Sequence, residues 1–332
     1  MKDEVLSRIQ KKFPLVRRPF EEIAKELGMS EGEVLDMLRE QKKANVIRQT
    51  SAIFDTKRLG YKSSLVAFKI PQEKISDAVK VINSHPGISH NYERNHDFNI
   101  WFTVAIAPDS KLGLEKTLEI LAKETGATEY IVLPTLKLFK INVKLDTTGK
   151  GEKKEEVKRV KHIDIELTPL HHQIIRYTQN DIDFVEEPFG QIIDAIGISY
   201  DEFFNALNEL QEAGVMRRFA SILNHRKAGF SANAMVVWDI DENRGEEIGE
   251  RAAAFSAVSH CYLRPKYPNW QYNLFTMVHG KSEEETNSII EDMAKEVEHK
   301  NKMALYSSRE FKKVRVEYFT PQFAEWEEKY SI

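Results

Sequence analysis

The chain has 332 residues, of which 41% are hydrophobic and 30% are charged, which is typical of a globular protein of about two domains or more. Its one cysteine, Cys261, excludes an internal disulfide and a Cys-rich metal or iron–sulfur site. The formal net charge of −4 argues against a dedicated nucleic-acid-binding protein, because phosphate binding usually requires a basic excess. Since no apolar run approaches the ~18 residues that span a bilayer, and the N-terminal segment lacks the apolar core of a secretory signal, we expect a cytoplasmic protein.

The first predicted element is a helix–turn–helix. Residues 3–12 and 19–27 have helical apolar spacing, and Gly28 begins a turn. Ser30 can cap the following helix, and Glu33 lies three residues on, where it completes a capping box.

A strand–helix–strand–strand–helix–strand order follows, which is that of a ferredoxin-like domain. The six predicted elements of the first half are 64–70, 73–84, 88–93, 99–107, 110–124 and 130–143. The corresponding elements of the second half are 233–240, 243–255, 258–264, 272–278, 283–298 and 304–319.

The two halves of the chain repeat one another. Pro19-Phe20 recurs 169 residues later as Pro188-Phe189, His90 recurs as His260, and Ser30 recurs as Ser199. A period this long with two copies indicates a duplicated domain rather than a solenoid.

The predicted fold class is therefore α+β, a tandem duplication of a helix–turn–helix (winged-helix-like) domain followed by a ferredoxin-like βαββαβ domain. A charged, glycine-containing segment between the copies reads as a linker. The predicted boundaries are 1–58 and 59–146 for the two domains of the first copy, 147–162 for the linker, 163–227 and 228–322 for the second copy, and 323–332 for a C-terminal tail.

One short motif, Ser-His-x-Tyr-x-Arg, occurs in each half. Side chains alternate along a strand, so His90, Tyr92 and Arg94 should share one face, while Ser89 and the other intervening residues should face the opposite side. The second copy presents the same three side-chain types from His260, Tyr262 and Arg264. Cys261 should lie on the face opposite His260, as a small buried residue.

A helix–turn–helix followed by a ferredoxin-like domain resembles the Lrp/AsnC family of transcriptional regulators over almost the whole chain. Within that shape, HPGISHNYERNHDFNIWFTVA and SHCYLRPKYPNWQYNLFTMVHG resemble the two subunits of siroheme decarboxylases, here fused in one chain. This resemblance covers residues 3–145 and 163–322.

The resemblance implies removal of carbon dioxide from the acetate side chains at C12 and C18 of siroheme, giving 12,18-didecarboxysiroheme. It implies a carbon–carbon lyase that serves the alternative heme pathway or the nitrite-reductase heme pathway. No cofactor is expected beyond the iron that siroheme carries. The expected partners are siroheme and related iron tetrapyrroles, with the two copies paired as an internal pseudo-dimer and a further homodimer left open.

The residue types of the motif fit a flat macrocycle that carries eight carboxylates. Arginine binds carboxylates through a planar fork, aromatic rings stack on the macrocycle, and histidine can protonate the carbon left after decarboxylation. The candidate proton donors are His90, His96 and His260, and His90 or His260 could instead ligate the substrate iron. The candidate substrate-binding residues are Tyr92, Arg94, Trp101, Tyr262, Arg264, Lys266, Trp270, Arg48, Arg217 and Arg218.

Two other functions stay open at this stage, a DNA-binding regulator of the Lrp/AsnC type and a heme-sensing protein that binds without chemistry. A regulator inserts the second helix of its helix–turn–helix into the major groove. Asp201 and Glu202 begin that helix in the second copy, which contains no lysine or arginine. This charge argues against DNA binding, and the paired proton-active side chains exceed what binding needs.

Overall fold

The computed structural model describes residues 2–141, 163–223 and 232–331. These residues form two compact units, and each unit takes chain from both halves of the sequence. The predicted linker at 147–162 lies outside the described residues. Within the described part of the chain, no helix is both long and apolar enough to cross a membrane.

The first unit contains both helix–turn–helix segments. Ser30 and Ser199 each accept a hydrogen bond from the backbone three residues on, and Glu33 and Glu202 bond back, so both capping boxes are formed. The elements are α1 (Lys2–Lys11), α2 (Pro19–Leu27), α3 (Glu31–Lys43) and β1 (Ile47–Phe54), followed by α6 (Pro169–Thr178), α7 (Gly190–Ile196), α8 (Tyr200–Glu212) and β7 (Met216–Leu223).

An aromatic core joins the two copies within this first unit. Phe13 packs against Phe20, Phe189 and Phe219 with ring centroids 5.1–6.4 Å apart. Strands β1 and β7 pair antiparallel. Thr50 and Ser221 lie directly opposite each other in this pair, and their hydroxyls are 2.6 Å apart. The apolar tail of each predicted helix–turn–helix is therefore a strand that holds the two copies together.

The second unit contains both ferredoxin-like segments. Its first-half elements are β2 (Lys62–Lys69), α4 (Ile75–Ser84), β3 (Ile88–Arg94), β4 (Ile100–Ile106), α5 (Gly113–Thr125), β5 (Glu129–Leu133) and β6 (Lys137–Ile141). Its second-half elements are β8 (Ala232–Asp239), α9 (Gly245–Ala253), β9 (Val258–Leu263), β10 (Leu274–Gly280), α10 (Glu283–Glu296), β11 (Asn301–Lys313) and the C-terminal α11 (Gln322–Tyr330).

One nine-stranded sheet runs through both halves, in the order β5-β2-β4-β3-β11-β8-β10-β9-β6. Residues 301–306 of β11 pair with β8 of their own copy, and residues 307–313 pair with β3 of the other copy. In the same way β6, from the first copy, pairs with β9 of the second. The internal pseudo-dimer is thus built by an exchange of C-terminal strands.

The last predicted strand of the first copy, 130–143, is wrong as one continuous strand. It divides into β5 and β6, which lie at opposite ends of the strand order. Pro134 follows β5 directly, and proline cannot donate a ladder hydrogen bond, so pairing stops there.

Most of the predicted C-terminal tail, 323–332, lies in helix α11 (Gln322–Tyr330). Trp326 is buried against the first copy's core, and its indole N–H donates to the hydroxyl of Ser84 at 3.2 Å. An amphipathic nine-residue stretch is stable as a helix here because packing supplies what its short length does not.

In each copy, helices pack on one face of the sheet and enclose a hydrophobic core there. A third core occupies the other face of the sheet. This shared core takes side chains from both copies. It includes Trp101 and Leu133 from the first copy with Trp270, Phe275 and Leu305 from the second. Both His-Tyr-Arg motifs lie on strands whose non-helical face borders this core.

Candidate active site

A β-bulge begins each motif strand. In β3 the ladder to β4 shifts between Ile88 and His90, and in β9 the ladder to β10 shifts at the matching place, between Val258 and His260. A bulge breaks strict alternation, so the residue before the histidine turns towards it. The expectation that Ser89 faces away is therefore wrong: its Oγ lies 2.9 Å from Nδ1 of His90, and Ser259 Oγ lies 2.8 Å from Nδ1 of His260.

Beyond the bulges, the motif side chains share a face as predicted. The rings of His90 and Tyr92 stack with centroids 6.3 Å apart, and those of His260 and Tyr262 with centroids 6.2 Å apart. The next residue on that face places a guanidinium over each tyrosine, 5.5 Å away for Arg94 and 4.6 Å for its counterpart. Each copy thus presents one imidazole–phenol–guanidinium ladder.

Each of the two arginines is held by a backbone carbonyl of the other copy. Arg94 donates from Nη1 to the carbonyl of Leu305 at 2.9 Å, and Arg264 donates from Nη1 to that of Leu133 at 2.6 Å. Both are over nine-tenths buried, and within the described residues the Nε of each has no hydrogen-bond partner. Burial lowers the pKa of each guanidinium to about 10, and no carboxylate is among the causes of either shift. Two buried cations are therefore incompletely satisfied, which favours an anionic ligand.

The two imidazole–phenol–guanidinium ladders line one cleft of about 500 Å³ in the second unit. Apolar and aromatic side chains from both copies form its floor. These include Leu65, Trp101, Met235, Phe275 and Met277. An apolar floor with two cationic corners suits a flat, polyanionic molecule.

Burial lowers the pKa of both cleft histidines, because the charged form loses hydration. Lys313 lowers the pKa of His90 further, and Glu310 opposes that effect. His90 in turn lowers the pKa of His260, so the two imidazoles interact electrostatically across the cleft. Burial, and then Glu310, raises the pKa of Tyr92 to about 12, which keeps its phenol protonated.

The exchanged strands make the two half-sites unequal. Lys313 lies opposite His90 in the ladder between β11 and β3, whereas Ile141 lies opposite His260 in the ladder between β6 and β9. Sequence reasoning assigned Lys313 no role, because pairing between copies, rather than local pattern, brings it beside the first histidine.

His279 is a second residue that sequence reasoning missed. Its Nε2 lies 2.5 Å from Ser259 Oγ, and its Nδ1 lies 2.7 Å from Oδ1 of Asn233. The signal was available in the repeat, since His279 aligns with Ala105 and is therefore a histidine gained in one copy alone.

His96 is not brought to His90. Its ring lies 5.6 Å from that of Trp270, its Nδ1 accepts the backbone N–H of Phe98 at 2.9 Å, and it lines a separate cavity of about 260 Å³. Burial lowers the pKa of His96 as well. The loop after Arg94 turns away from the cleft, and the side chain follows it.

Three other predicted binding residues have different surroundings. Trp101 is buried and borders the cleft, with its indole N–H donating to Phe98 at 2.7 Å. Trp270 is buried in the shared core and lines the smaller cavity with His96. Lys266 forms an ion pair with Asp239 at 2.6 Å and does not line the cleft. The extra aromatic loop of the second copy therefore builds the core rather than the rim.

The predicted binding residues Arg48, Arg217 and Arg218 belong to the first unit, on strands β1 and β7. Arg217 forms an ion pair with Asp55 at 2.9 Å. The lining of the cleft comes from the second unit.

Two family models match the chain, and each matches it twice. The AsnC-like ligand binding domain matches residues 58–140 and 227–312, and the siroheme decarboxylase NirDL-like HTH domain matches residues 2–48 and 171–217. A siroheme decarboxylase from Hydrogenobacter thermophilus is 40% identical over 98% of this chain and 96% of its own length. The chain belongs to the siroheme decarboxylase family.

Members of this family occur fused and as separate subunits. The beta subunit of a Methanosarcina barkeri siroheme decarboxylase is 38% identical over 43% of this chain and 95% of its own length. A crystal structure of the siroheme decarboxylase NirDL in complex with an iron-uroporphyrin III analogue superimposes with a TM-score of 0.81 at 35% identity, covering 98% of this chain and 97% of that one. The fused, duplicated α+β fold expected from the sequence is confirmed, and the family agreement favours the enzyme over the regulator.

Proposed function

We propose that this protein is a siroheme decarboxylase, a carbon–carbon lyase that removes carbon dioxide from the acetate groups at C12 and C18 of siroheme. The observation that carries the proposal is the pair of His-Tyr-Arg ladders facing one apolar-floored cleft. The family supports the substrate, since a relative in it was crystallised with an iron-uroporphyrin III analogue. The product would be 12,18-didecarboxysiroheme, for one of the two heme pathways named above.

In this proposal the arginines bind the substrate's carboxylates. Arg94 and Arg264 each have one Nη1 committed to a backbone carbonyl, which fixes the plane of the fork. The Nε of each is buried without a partner within the described residues, so a carboxylate at the guanidinium would compensate an incompletely satisfied charge. Lys313 adds a cation to the half-site of His90. Tyr92 and Tyr262 provide aromatic faces beside the macrocycle.

The reaction needs a proton at each reacting carbon. The C–C bond to the carboxylate breaks, carbon dioxide leaves, and the electron pair stays on the CH2 group, delocalised into the macrocycle. A proton from His90 or His260 then gives the methyl group. Either imidazole could instead ligate the substrate iron. Beyond that substrate-borne iron, the proposal requires no cofactor.

Anaerobic incubation of the purified protein with siroheme, followed by mass analysis of the extracted tetrapyrrole, tests the function. We expect loss of two carbon dioxides per macrocycle. An unchanged mass, with or without a shift of the absorption band, would contradict the decarboxylase, and the shift would point to the heme sensor.

Three single variants test which histidines act as the general acid. We expect His90→Ala and His260→Ala each to slow carbon dioxide release by about 100-fold or more, in line with the usual contribution of a general acid. His96→Ala, in the separate cavity, should change the rate much less. Equal losses in the three variants would contradict this assignment and restore His96 as a candidate acid. A cytoplasmic location and a homodimer stay predictions.

A further inference from the structure

We propose that His279, Ser259 and Asn233 form a proton relay that recharges His260, and that among the described residues only the second half of the chain has one. The proposal rests on the decarboxylase function, because each loss of carbon dioxide consumes a proton in the cleft. His279 and Ser259 would act through His260 and not touch the substrate.

The relay is a continuous row of hydrogen-bonding atoms. His260 Nδ1 lies 2.8 Å from Ser259 Oγ, the same oxygen lies 2.5 Å from His279 Nε2, and His279 Nδ1 lies 2.7 Å from Asn233 Oδ1. A serine hydroxyl both donates and accepts, so it can pass a proton between two imidazoles.

The row lies beside the cleft and ends at an exposed side chain. Ser259 is buried, the two histidines are partly buried, and Asn233 is exposed at the end of strand β8, where it also lines the cleft. A substrate in the cleft would restrict the access of water to His260. The row would then supply the proton that His260 needs at Nδ1 as it donates from Nε2.

As far as the structure describes it, residues 2–141, the first half lacks this path. Ala105 occupies the position that corresponds to His279, so the row there ends at the pair of Ser89 and His90. Lys313 lies opposite His90 instead. The two halves therefore supply protons to their histidines by different routes.

His260 donates from Nε2 to the CH2 carbanion, Ser259 passes its hydroxyl proton to His260 Nδ1, and protonated His279 returns a proton to Ser259 from Nε2. This leaves His260 and His279 neutral, each with its proton on Nδ1. When the product leaves the cleft, water protonates His260 at Nε2, and the Nδ1 proton of His260 returns through Ser259 to Nε2 of His279. One proton enters from water and one leaves as a C–H bond, so every group of the row regains its starting proton.

His279→Ala tests the relay directly. It restores the residue that the first half carries at the corresponding position, which makes a folded variant the expected outcome. We expect turnover to fall by about 10-fold or more with siroheme binding, followed by its absorption shift, unchanged. Added imidazole should restore turnover, because a free base can replace the missing proton carrier.

Two further variants separate proton transfer from structure. His279→Gln keeps a hydrogen-bonding side chain but cannot shuttle a proton, so it should be as slow as His279→Ala. His299→Ala, at a histidine that contacts Trp238 outside the cleft, should neither slow turnover nor respond to imidazole.

The outcomes are distinct. Wild-type turnover in His279→Ala, or in His279→Gln, would overturn the relay while leaving the decarboxylase intact. Slow turnover that imidazole cannot restore would also overturn it and assign His279 a structural role. If the wild-type protein removes no carbon dioxide, the decarboxylase itself fails, and the relay fails with it.

Discussion

At the scale of single residues, the cleft carries buried positive charge that the described residues satisfy only in part. Arg94 is buried beside a tyrosine and a backbone carbonyl, and the lowered pKa of about 10 expresses the loss of hydration. A shift of this size, from an ordinary 12.5, corresponds to about 3 kcal/mol against the folded, charged form. Binding sites commonly carry such a penalty for function.

Arg94→Met should therefore stabilise the free protein and weaken siroheme binding. Removing the charge relieves about 3 kcal/mol, while the lost hydrogen bond to Leu305 costs about 1–2 kcal/mol, so the free energy of unfolding should rise by about 1 kcal/mol. Denaturant unfolding and a siroheme titration measure the two effects. Arg244→Met, at an exposed arginine paired with glutamates, is the control and should not affect binding. A less stable variant that still binds siroheme normally would contradict the assignment.

At the scale of elements, the entry into β3 is built by close backbone packing. Gly87 precedes the strand, and a Cβ there would lie 1.9 Å from the carbonyl oxygen of Ala105 on β4. His85, two residues earlier, is buried and accepts the N–H of Gly87 at Nδ1, 3.0 Å away. The turn thereby fixes where the β-bulge begins and which way His90 points.

Gly87→Ala should be strongly destabilising, by about 3 kcal/mol or more, because the obstacle is backbone that cannot rotate away. Gly32→Ala, in the exposed first turn of α3 with open space around it, should instead stabilise by up to about 1 kcal/mol. Thermal unfolding of the two variants checks the contrast. Equal effects would show that β3 and β4 can separate at this point.

His85 should make stability depend on pH. Burial, with Lys312, lowers its pKa from 6.5 to about 3. Since the unfolded chain binds the proton first, stability is complete above pH 6.5 and is lost as the pH falls from 6.5 towards 3, by about 1.4 kcal/mol per unit. His85→Gln should therefore lose less stability than wild type between pH 6.5 and pH 4. Denaturant unfolding at the two pH values measures the loss of unfolding free energy in each protein. An equal loss in wild type and His85→Gln would rule out His85 as the source.

At the scale of the whole molecule, the two copies depend on each other. Each copy gives its last strand to the other's motif strand, and each motif arginine bonds to a carbonyl of the other copy. The core beneath the cleft also takes side chains from both copies. A half alone would expose that core and the edges of β3 and β9.

Chains cut between residues 141 and 163 should therefore act as obligate partners. We expect the two halves to co-purify at equal amounts when produced together and to restore decarboxylation. Each half produced alone should aggregate or remain inactive, because its shared-core face is apolar. Size-exclusion chromatography with an activity assay decides the question. An active isolated half would show that one ladder suffices.

The duplication, the helix caps and the shared face of His, Tyr and Arg were all predictable, because repeats, capping boxes and strand alternation are local patterns. Two asparagines also recur, Asn99 in the first copy and Asn273 in the second. Asn99 and Asn273 bind the backbone of Ile70 and Ile240, a structural role that explains their recurrence without substrate.

Local pattern alone could therefore predict the class of each element and the residue types that face the cleft. It could not predict that β6 and β11 pair with the motif strand of the other copy, or that bulges turn Ser89 and Ser259 towards their histidines. Nor could it predict that Lys313 lines the cleft and His279 contacts Ser259, while His96 lines a separate cavity and Lys266 pairs with Asp239. Those outcomes depend on how strands pair, in part across the two copies, and on loop direction, and side-chain periodicity carries no information about either.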